Sequence, residues 1–329
     1  MQREISLNMV RVTEVAALKA SRWMGNGDKN SADKAAVDGM RGMLDLLDIK
    51  GRIVIGEGEK DEAPMLYIGE QVGGGCENAP EVDIAVDPID GTRLVANGHP
   101  NALSVIAVGE KDSIAYLPCF YVKKLAYGSK LKGFLDINCS IRENLKVAAA
   151  KLNKTVHELT VAILDRERHA DYIKEIRKCG ARIKLIPDGD VAAAIATCME
   201  DGRIDLYLGI GGAPEAVLAA AAIRCMDGDM QVKLVVNDEA EMKKITESGY
   251  DVERVYFAKD LARGQSIIFA CTGITDGDLL PGIKFTGSKA ISHSLVMRSK
   301  TKTIRYITAD HNLKYKTIPS KELKLETNI

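Results

Sequence analysis

The sequence is short of most of what a nucleic-acid or membrane protein needs. Aromatic residues fill only 5% of its 329 positions, with a single tryptophan, which argues against a stacking platform for single-stranded nucleic acid. Neither charge sign dominates: 45 Lys and Arg face 46 Asp and Glu, so no net field draws the chain to DNA or an anionic membrane. No window reaches the ~18 uninterrupted apolar residues of a membrane helix. The opening Met1-Gln2-Arg3-Glu4-Ile5 lacks a basic stretch followed by an apolar core. Cys76, Cys119, Cys139, Cys179, Cys198, Cys225 and Cys271 are scattered, odd in number and never spaced C-x-x-C, and so read as reduced thiols. His99, His157, His169, His293 and His311 have no metal-ligating spacing and read as surface or structural residues. A soluble cytoplasmic protein, with neither nucleic acid nor membrane as partner, is the expectation.

What is present is an ordinary globular balance, 46% hydrophobic and 28% charged, in a chain long enough for one large domain or two fused lobes. Val12, Val15 and Ala16 mark a first helix ending near Gly25, and Ser31 reads as the cap of a second. Short strands follow at 52–55, 82–87 and 102–108, then irregular strand-rich chain to about residue 140. The second half alternates more regularly: strand 161–164, helix 167–179, strand 183–186, a helix through 192–195, strand 204–210 and helix 216–223. This predicts an α/β layered fold. Residues 229–264 read as a charged surface excursion, 267–270 as a core strand, and 315–329 as a flexible tail. The chain is expected to form a single catalytic unit, with a metal-binding lobe over 1–142 and a substrate-binding lobe over 143–329.

The most informative stretch is Asp87-Pro88-Ile89-Asp90-Gly91-Thr92, directly after the alternating strand Val82–Val86. Pro88 ends the strand and Gly91 permits a sharp turn, delivering two carboxylates and a hydroxyl to the mouth of a sheet. Acids so placed bridge hard divalent cations through oxygen, and a neighbouring hydroxyl orients an attacking water. More acids accompany them: Asp33 near the start of the second helix, Glu57 and Glu59 in Gly56-Glu57-Gly58-Glu59 after a buried strand, and Asp61. Packed together without cations, such carboxylates would repel and some would protonate. An all-oxygen set favours Mg²⁺ or Mn²⁺ over zinc. In the second half, Arg166 and Arg168 follow a strand and are placed to clamp a phosphate. Asp188-Gly189-Asp190 has a similar strand-turn-helix position. Gly209-Ile210-Gly211-Gly212-Ala213-Pro214-Glu215 puts glycine-rich backbone at a helix start, where free N–H groups can hold an anion and Glu215 can reach a metal.

Taken in order, these strings resemble the class II (GlpX-type) fructose-1,6-bisphosphatases of bacteria, from the N-terminus to about residue 305. Arg11-Val12-Thr13-Glu14, Gly27-Asp28-Lys29-Asn30, Ile55–Glu59, Asp61–Leu66, Val82–Thr92, Pro187–Ala192 and Ile210–Glu215 carry the likeness. The acid–Gly-Glu–Asp-Pro-x-Asp-Gly-Thr core alone indicates the broader lithium-sensitive sugar and inositol phosphatase superfamily. The resemblance implies an αβαβα sugar-phosphatase fold and hydrolysis of the 1-phosphate of fructose 1,6-bisphosphate in gluconeogenesis. It further implies two or more Mn²⁺ or Mg²⁺ ions per active site, and a homodimer or homotetramer. By position it assigns Asp33 and Glu57 to one metal, and Asp87, Asp90 and Glu215 to another. Asp90, Gly91, Thr92, Tyr121, Arg166, Glu167, Arg168, Asp188, Gly189, Asp190 and Gly212 fall to substrate. Thr92 is the residue for water activation, with Lys29, Glu59 and Asp61 serving charge balance and proton traffic. The chain departs from the usual family pattern in having Asp at position 90 in place of Glu, Arg166-Glu167-Arg168 where Lys-Pro-Arg is usual, and a shorter excursion after residue 228. Rival readings of the same acids are an inositol- or nucleotide-type monophosphatase, a sedoheptulose 1,7-bisphosphatase, and a catalytically silent sugar-phosphate sensor.

Overall fold

A computed structural model describes residues 5–59, 63–200 and 202–319. In chain order it runs α1 (Ile5–Ala20), α2 (Lys29–Leu44), β1 (Lys50–Ile55), β2 (Gln71–Val72), β3 (Glu81–Asp90), α3 (Thr92–Asn97) and β4 (Leu103–Glu110). Next come β5 (Tyr121–Tyr127), α4 (Ile141–Leu152), β6 (Thr160–Leu164), α5 (Ala170–Cys179), β7 (Arg182–Ile186), α6 (Val191–Ala196) and β8 (Leu206–Gly212). After α7 (Ala213–Cys225), β9 (Asp229–Val235), α8 (Glu239–Glu247), β10 (Tyr256–Phe257) and α9 (Ala258–Leu261), the chain closes with β11 (Ile268–Gly273), β12 (Lys284–Thr286), β13 (Lys289–Arg298) and β14 (Thr303–Asn312). Helices and mixed sheets build the expected α/β layered architecture. They fall into two compact units, one from residues up to Ile114 with those from Gly264 onward, the other Ala115–Arg263. The division expected near residue 142 therefore falls inside α4, within the second unit, and the chain crosses between units twice.

The first unit holds an eight-stranded sheet in the order β12-β13-β11-β4-β3-β1-β2, with β14 on the remaining edge of β13. Its core forms where Met9, Val12 and Ala16 of α1 and Ala36 and Met40 of α2 meet Ile84 and Val86 of β3 and Ile106 of β4. The cap of α2 is Asp28, three residues before the expected Ser31: its carboxylate accepts the Ser31 amide at 3.0 Å and the Ser31 hydroxyl at 2.6 Å. An acid at this position satisfies an otherwise unpaired helix donor and complements the helix dipole. At the far end of β3 the ladder slips, with Asp87 opposite Val105 but Asp90 opposite Leu103. Pro88 lacks the N–H that the ladder needs, and the extra residue makes a bulge that re-aims the strand end.

The second unit is a six-stranded sheet in the order β10-β9-β5-β8-β6-β7. Leu125 and Tyr127 of β5, Val161 and Ile163 of β6 and Leu208 of β8 bury one face against Leu145 and Ala148 of α4 and Ile176 of α5. The intervening side chains of β5 turn to the other face, where α6 and α7 pack. The segment read as a surface excursion over 229–264 begins with a strand: β9 pairs along all of β5, next to the centre of the sheet, while most of 237–255 is exposed. Its alternation of Met230, Val232 and Leu234 with Gln231 and Lys233 is a strand pattern, and buried Gln231 is satisfied by the Tyr127 hydroxyl and the Leu135 carbonyl at 2.8 and 2.6 Å. Beyond Lys314, Lys316 approaches His311 Nδ1 at 2.7 Å, so this part of the segment expected as a tail is engaged. Residues 320–329 lie outside the described residues.

Candidate active site

The first unit brings together two of its predicted acids. β1 ends at Ile55, and the chain passes Gly56 so close to the Leu66 carbonyl that a Cβ there would lie 1.9 Å from its oxygen. The Glu57 amide donates to that carbonyl at 3.0 Å, which fixes where the Glu57 side chain starts. It meets Asp33, on the first turns of α2, in a carboxyl–carboxylate hydrogen bond. Burial, reinforced by the Asp33 charge, pushes Glu57 up to about 8. Asp33 is also raised by burial, tempered by the Glu57 hydrogen bond and by Lys29 one helical turn earlier. At neutral pH the pair therefore shares a proton. Lys29 itself is exposed, as is Glu59, whose carbonyl accepts the Ala63 amide at 3.0 Å. Asp61 lies outside the described residues.

The other first-unit residues sit on the strand-end turn. Asp87 Oδ1 accepts the Ile89 amide at 3.0 Å, and Asp90 closes β3 at 2% exposure. Gly91, at φ 93°, takes the left-handed conformation that starts α3, and Thr92 is the first helical residue. The Thr92 hydroxyl donates to the Ile89 carbonyl at 3.4 Å, a partner within the turn itself. Among the described residues no three His, Cys, Asp or Glu side chains converge as a ready-made cation cage. Asp33 and Glu57 touch, and Asp87 and Asp90 stand at the end of β3. A half-buried oxygen-only pair that must otherwise take up a proton fits a hard divalent cation.

This pair makes the stability of the cation-free protein pH-dependent. Both folded-state values lie above the unfolded ones, so the native state binds more protons, and stability falls as pH rises from about 4.5 to about 8. Thermal unfolding in chelator across that window should show the decline, and Glu57→Gln, uncharged throughout, should flatten it. An undiminished slope in the variant would assign the effect to other groups.

In the second unit the predicted arginine clamp is divided between two neighbours. Arg166 Nη2 pairs with Asp188 Oδ1 at 2.8 Å, and its Nη1 donates to the Pro187 carbonyl, tying the end of β6 to the 187–190 turn. Arg168 donates from Nε and Nη2 to the Ile210 carbonyl at 3.1 and 3.0 Å, and its guanidinium lies 5.0 Å from the Tyr121 ring centroid. Glu167 is exposed between them. His169 is structural, as read: its Nδ1 donates to the Leu164 carbonyl and its Nε2 accepts the Ile210 amide, both at 2.7 Å, and burial keeps it neutral.

Deeper in this unit, Gly189 at φ 65° turns the chain into Asp190, which is 4% exposed. Asp190 Oδ2 accepts from Lys124 Nζ at 2.7 Å and from the Tyr207 hydroxyl at 2.6 Å, while its Oδ1 is buried without a hydrogen-bond partner. Glu215, in the first turn of α7, has a second such atom in Oε2. Burial raises the Glu215 pKa, Lys124 lowers it and Asp190 raises it. Gly212 makes room for this carboxylate, since a Cβ there would lie 2.0 Å from Glu215 Oε2. Two buried carboxylate oxygens lacking donors again fit a positively charged or hydrogen-donating ligand. Lys124 and Tyr207 were not anticipated. Lys124 had a signal: it alternates with Val122 and Ala126, both wholly buried, which puts its ammonium on an enclosed face.

The family described as bacterial fructose-1,6-bisphosphatase, glpX-encoded, matches residues 3–311. The chain belongs to that family. It is 49% identical to Fructose-1,6-bisphosphatase 1 class 2 of Escherichia coli (strain K12), over 95% of this chain and 96% of that protein. With Fructose-1,6-bisphosphatase class 2 of Haemophilus influenzae it shares 47% identity, over 95% of this chain and 97% of the relative. The family match spans the Asp33–Glu57 pair, the Asp87–Thr92 turn, the Arg166–Arg168 segment and the Asp190–Lys124–Glu215 group. Among the described residues no helix is long and apolar enough to cross a membrane.

Proposed function

We propose that this chain hydrolyses the 1-phosphate of D-fructose 1,6-bisphosphate, yielding D-fructose 6-phosphate and inorganic phosphate in gluconeogenesis. The observation that carries the reading is the proton-sharing Asp33–Glu57 pair in a chain of this family. Asp33 and Glu57 would hold one divalent cation, and Asp87, Asp90 and Glu215 another. The all-oxygen set favours Mn²⁺ or Mg²⁺, two or more per active site. Bound cations supply polarisation of the phosphoryl oxygens and a lowered pKa for water. The chain's own residues do the rest. Thr92 orients the attacking water through its hydroxyl, itself held by the Ile89 carbonyl. Lys29, Glu59 and Asp61 balance charge and relay the proton toward the leaving oxygen. Asp90, Gly91, Tyr121, Arg166, Glu167, Arg168, Asp188, Gly189, Asp190 and Gly212 bind the sugar bisphosphate, the arginines serving the distal phosphate so that remote binding orients the scissile group. The same reading places the protein in the lithium-sensitive phosphatase superfamily, in the cytoplasm, as a homodimer or homotetramer without nucleic-acid or membrane partners.

Phosphate release from fructose 1,6-bisphosphate, with Mn²⁺ or Mg²⁺ and with chelator, tests the proposal. Cation-dependent release that stops at one phosphate per sugar supports it. Equal turnover of inositol or nucleotide monophosphates, faster turnover of sedoheptulose 1,7-bisphosphate, or full activity after exhaustive chelation would overturn it.

The arginine assignment has its own test. Arg168 keeps Nη1 without a protein acceptor among the described residues. Arg168→Ala should raise KM for the bisphosphate and lower kcat/KM by about 10–100-fold, the size of a lost charge-assisted contact of about 1.5–3 kcal/mol. A monophosphate substrate lacking the distal group should suffer far less; equal losses on both would give the arginine to the fold or to the reacting phosphate.

A further inference from the structure

The second unit contains a cavity that the proposed reaction does not use. Alternation along β5 sends Lys124 to the face that carries Asp190, and Lys123 and Leu125 to the face covered by α4 and α5. There Lys123 and Leu125 join Leu145, Tyr172, Glu175 and Leu208 in lining a cavity of about 170 Å³. An apolar cavity of roughly 150 Å³ is enough to admit a molecule the size of benzene.

Two residues of this lining, Lys123 and Tyr172, carry hydrogen-bond donors. Lys123 Nζ donates to the Ile137 carbonyl at 2.9 Å, which occupies one of its three hydrogens, and among the described residues no carboxylate lies within ion-pair distance of it. Its ammonium sits 6.0 Å from the centroid of the Tyr172 ring, whose hydroxyl makes no hydrogen bond among the described residues. Burial first, then Lys233, hold the Lys123 pKa below the ordinary lysine range, with Asp136 pulling the other way. A half-buried ammonium without a counter-ion is costly to keep, and an incoming anion would offset that cost. Glu175 in the same lining discriminates among anions: one negative charge is balanced by Lys123, whereas a dianionic phosphate would meet Glu175 as well.

We infer that this cavity is a binding site for a small monocarboxylate with an apolar body about the size of one ring. The carboxylate is held by Lys123 Nζ and the Tyr172 hydroxyl, and the body packs on Leu125, Leu145 and Leu208. None of these residues is assigned to the sugar bisphosphate, so the inference and the proposed hydrolysis stand or fall separately.

Benzoate is the probe. Calorimetric titration of the full-length protein should show saturable binding at one site per chain, with benzyl alcohol roughly tenfold weaker or worse because it lacks the charge. Lys123→Met preserves chain length and removes the charge, and should weaken benzoate by roughly tenfold or more without lowering the melting temperature. Leu208→Phe fills the apolar end and should abolish benzoate binding with Lys123 intact, which keeps the site testable if the lysine variant folds poorly. Phosphate release from fructose 1,6-bisphosphate, measured on the same samples, should be unchanged by either substitution. Absence of saturable benzoate binding, or binding that survives both substitutions, would overturn the assignment.

Discussion

Thr92→Ala should lower kcat by roughly 10²–10⁴-fold, the usual size of a lost general acid–base contribution, with little change in KM. The substitution removes one hydroxyl and no carboxylate, so cation and substrate binding should persist. The structure also limits the stability cost. Gly91, not Thr92, is the N-cap of α3, and the Thr92 hydroxyl reaches the Ile89 carbonyl only at a long 3.4 Å. A hydrogen bond of that length contributes little, so the variant should unfold close to the parent. Thr92→Ser keeps the hydroxyl, loses a methyl group and should retain much of the rate. The decisive comparison is kcat at saturating cation and substrate: an alanine variant with normal turnover would remove Thr92 from the chemistry.

Local chemistry made this turn legible in the sequence. The strand Val82–Val86, the proline that interrupts its ladder and the glycine that needs positive φ lie within a few residues of one another, and the structure places a bulge and then a helix there. The cap of α2 was harder to read, because Asp28 and Ser31 are both good cap residues and only their mutual hydrogen bonds decide between them. Long-range pairings were largely hidden. The meeting of Asp33 with Glu57 depends on how α2 packs over the end of β1, and its expectation came from the chemistry of acids and from family resemblance. The β13–β14 hairpin went unread because its strands break the apolar pattern. Ser292 and Ser294 are wholly buried, one bonded to Glu14 and His311 and the other to Thr272, so polar residues that look surface-like lie in the core. Charged residues in β9 misled in the same way, since Lys233 and Asp229 masked a strand that pairs along β5. Sequence periodicity reports burial well when the buried side chains are apolar. It fails where a buried polar group is satisfied by a partner distant in the chain.

Lys124 is another buried polar group with a partner distant in the chain, and it carries the second large prediction. Its side chain is 1% exposed and its ammonium lies 2.7 Å from Asp190, itself 4% exposed, with the Tyr207 hydroxyl on the same carboxylate oxygen. Lys124 also offsets the burial of Glu215. Lys124→Met would fill nearly the same volume but leave Asp190 as an uncompensated buried charge beside Glu215. Breaking one side of such a pair typically costs about 3–5 kcal/mol, far more than the pair itself contributes over an apolar replacement. Urea unfolding followed by a probe in the second unit should therefore show a large fall in midpoint. The double variant Lys124→Met/Asp190→Leu should recover much of that loss, because both charges then leave the interior together. Recovery of stability without recovery of turnover would separate the roles: Lys124 would hold the fold by neutralising Asp190, while the carboxylate serves the substrate. A single variant that loses no more than about 1 kcal/mol, the cost of an ordinary lost hydrogen bond, would show that Asp190 finds its compensation elsewhere.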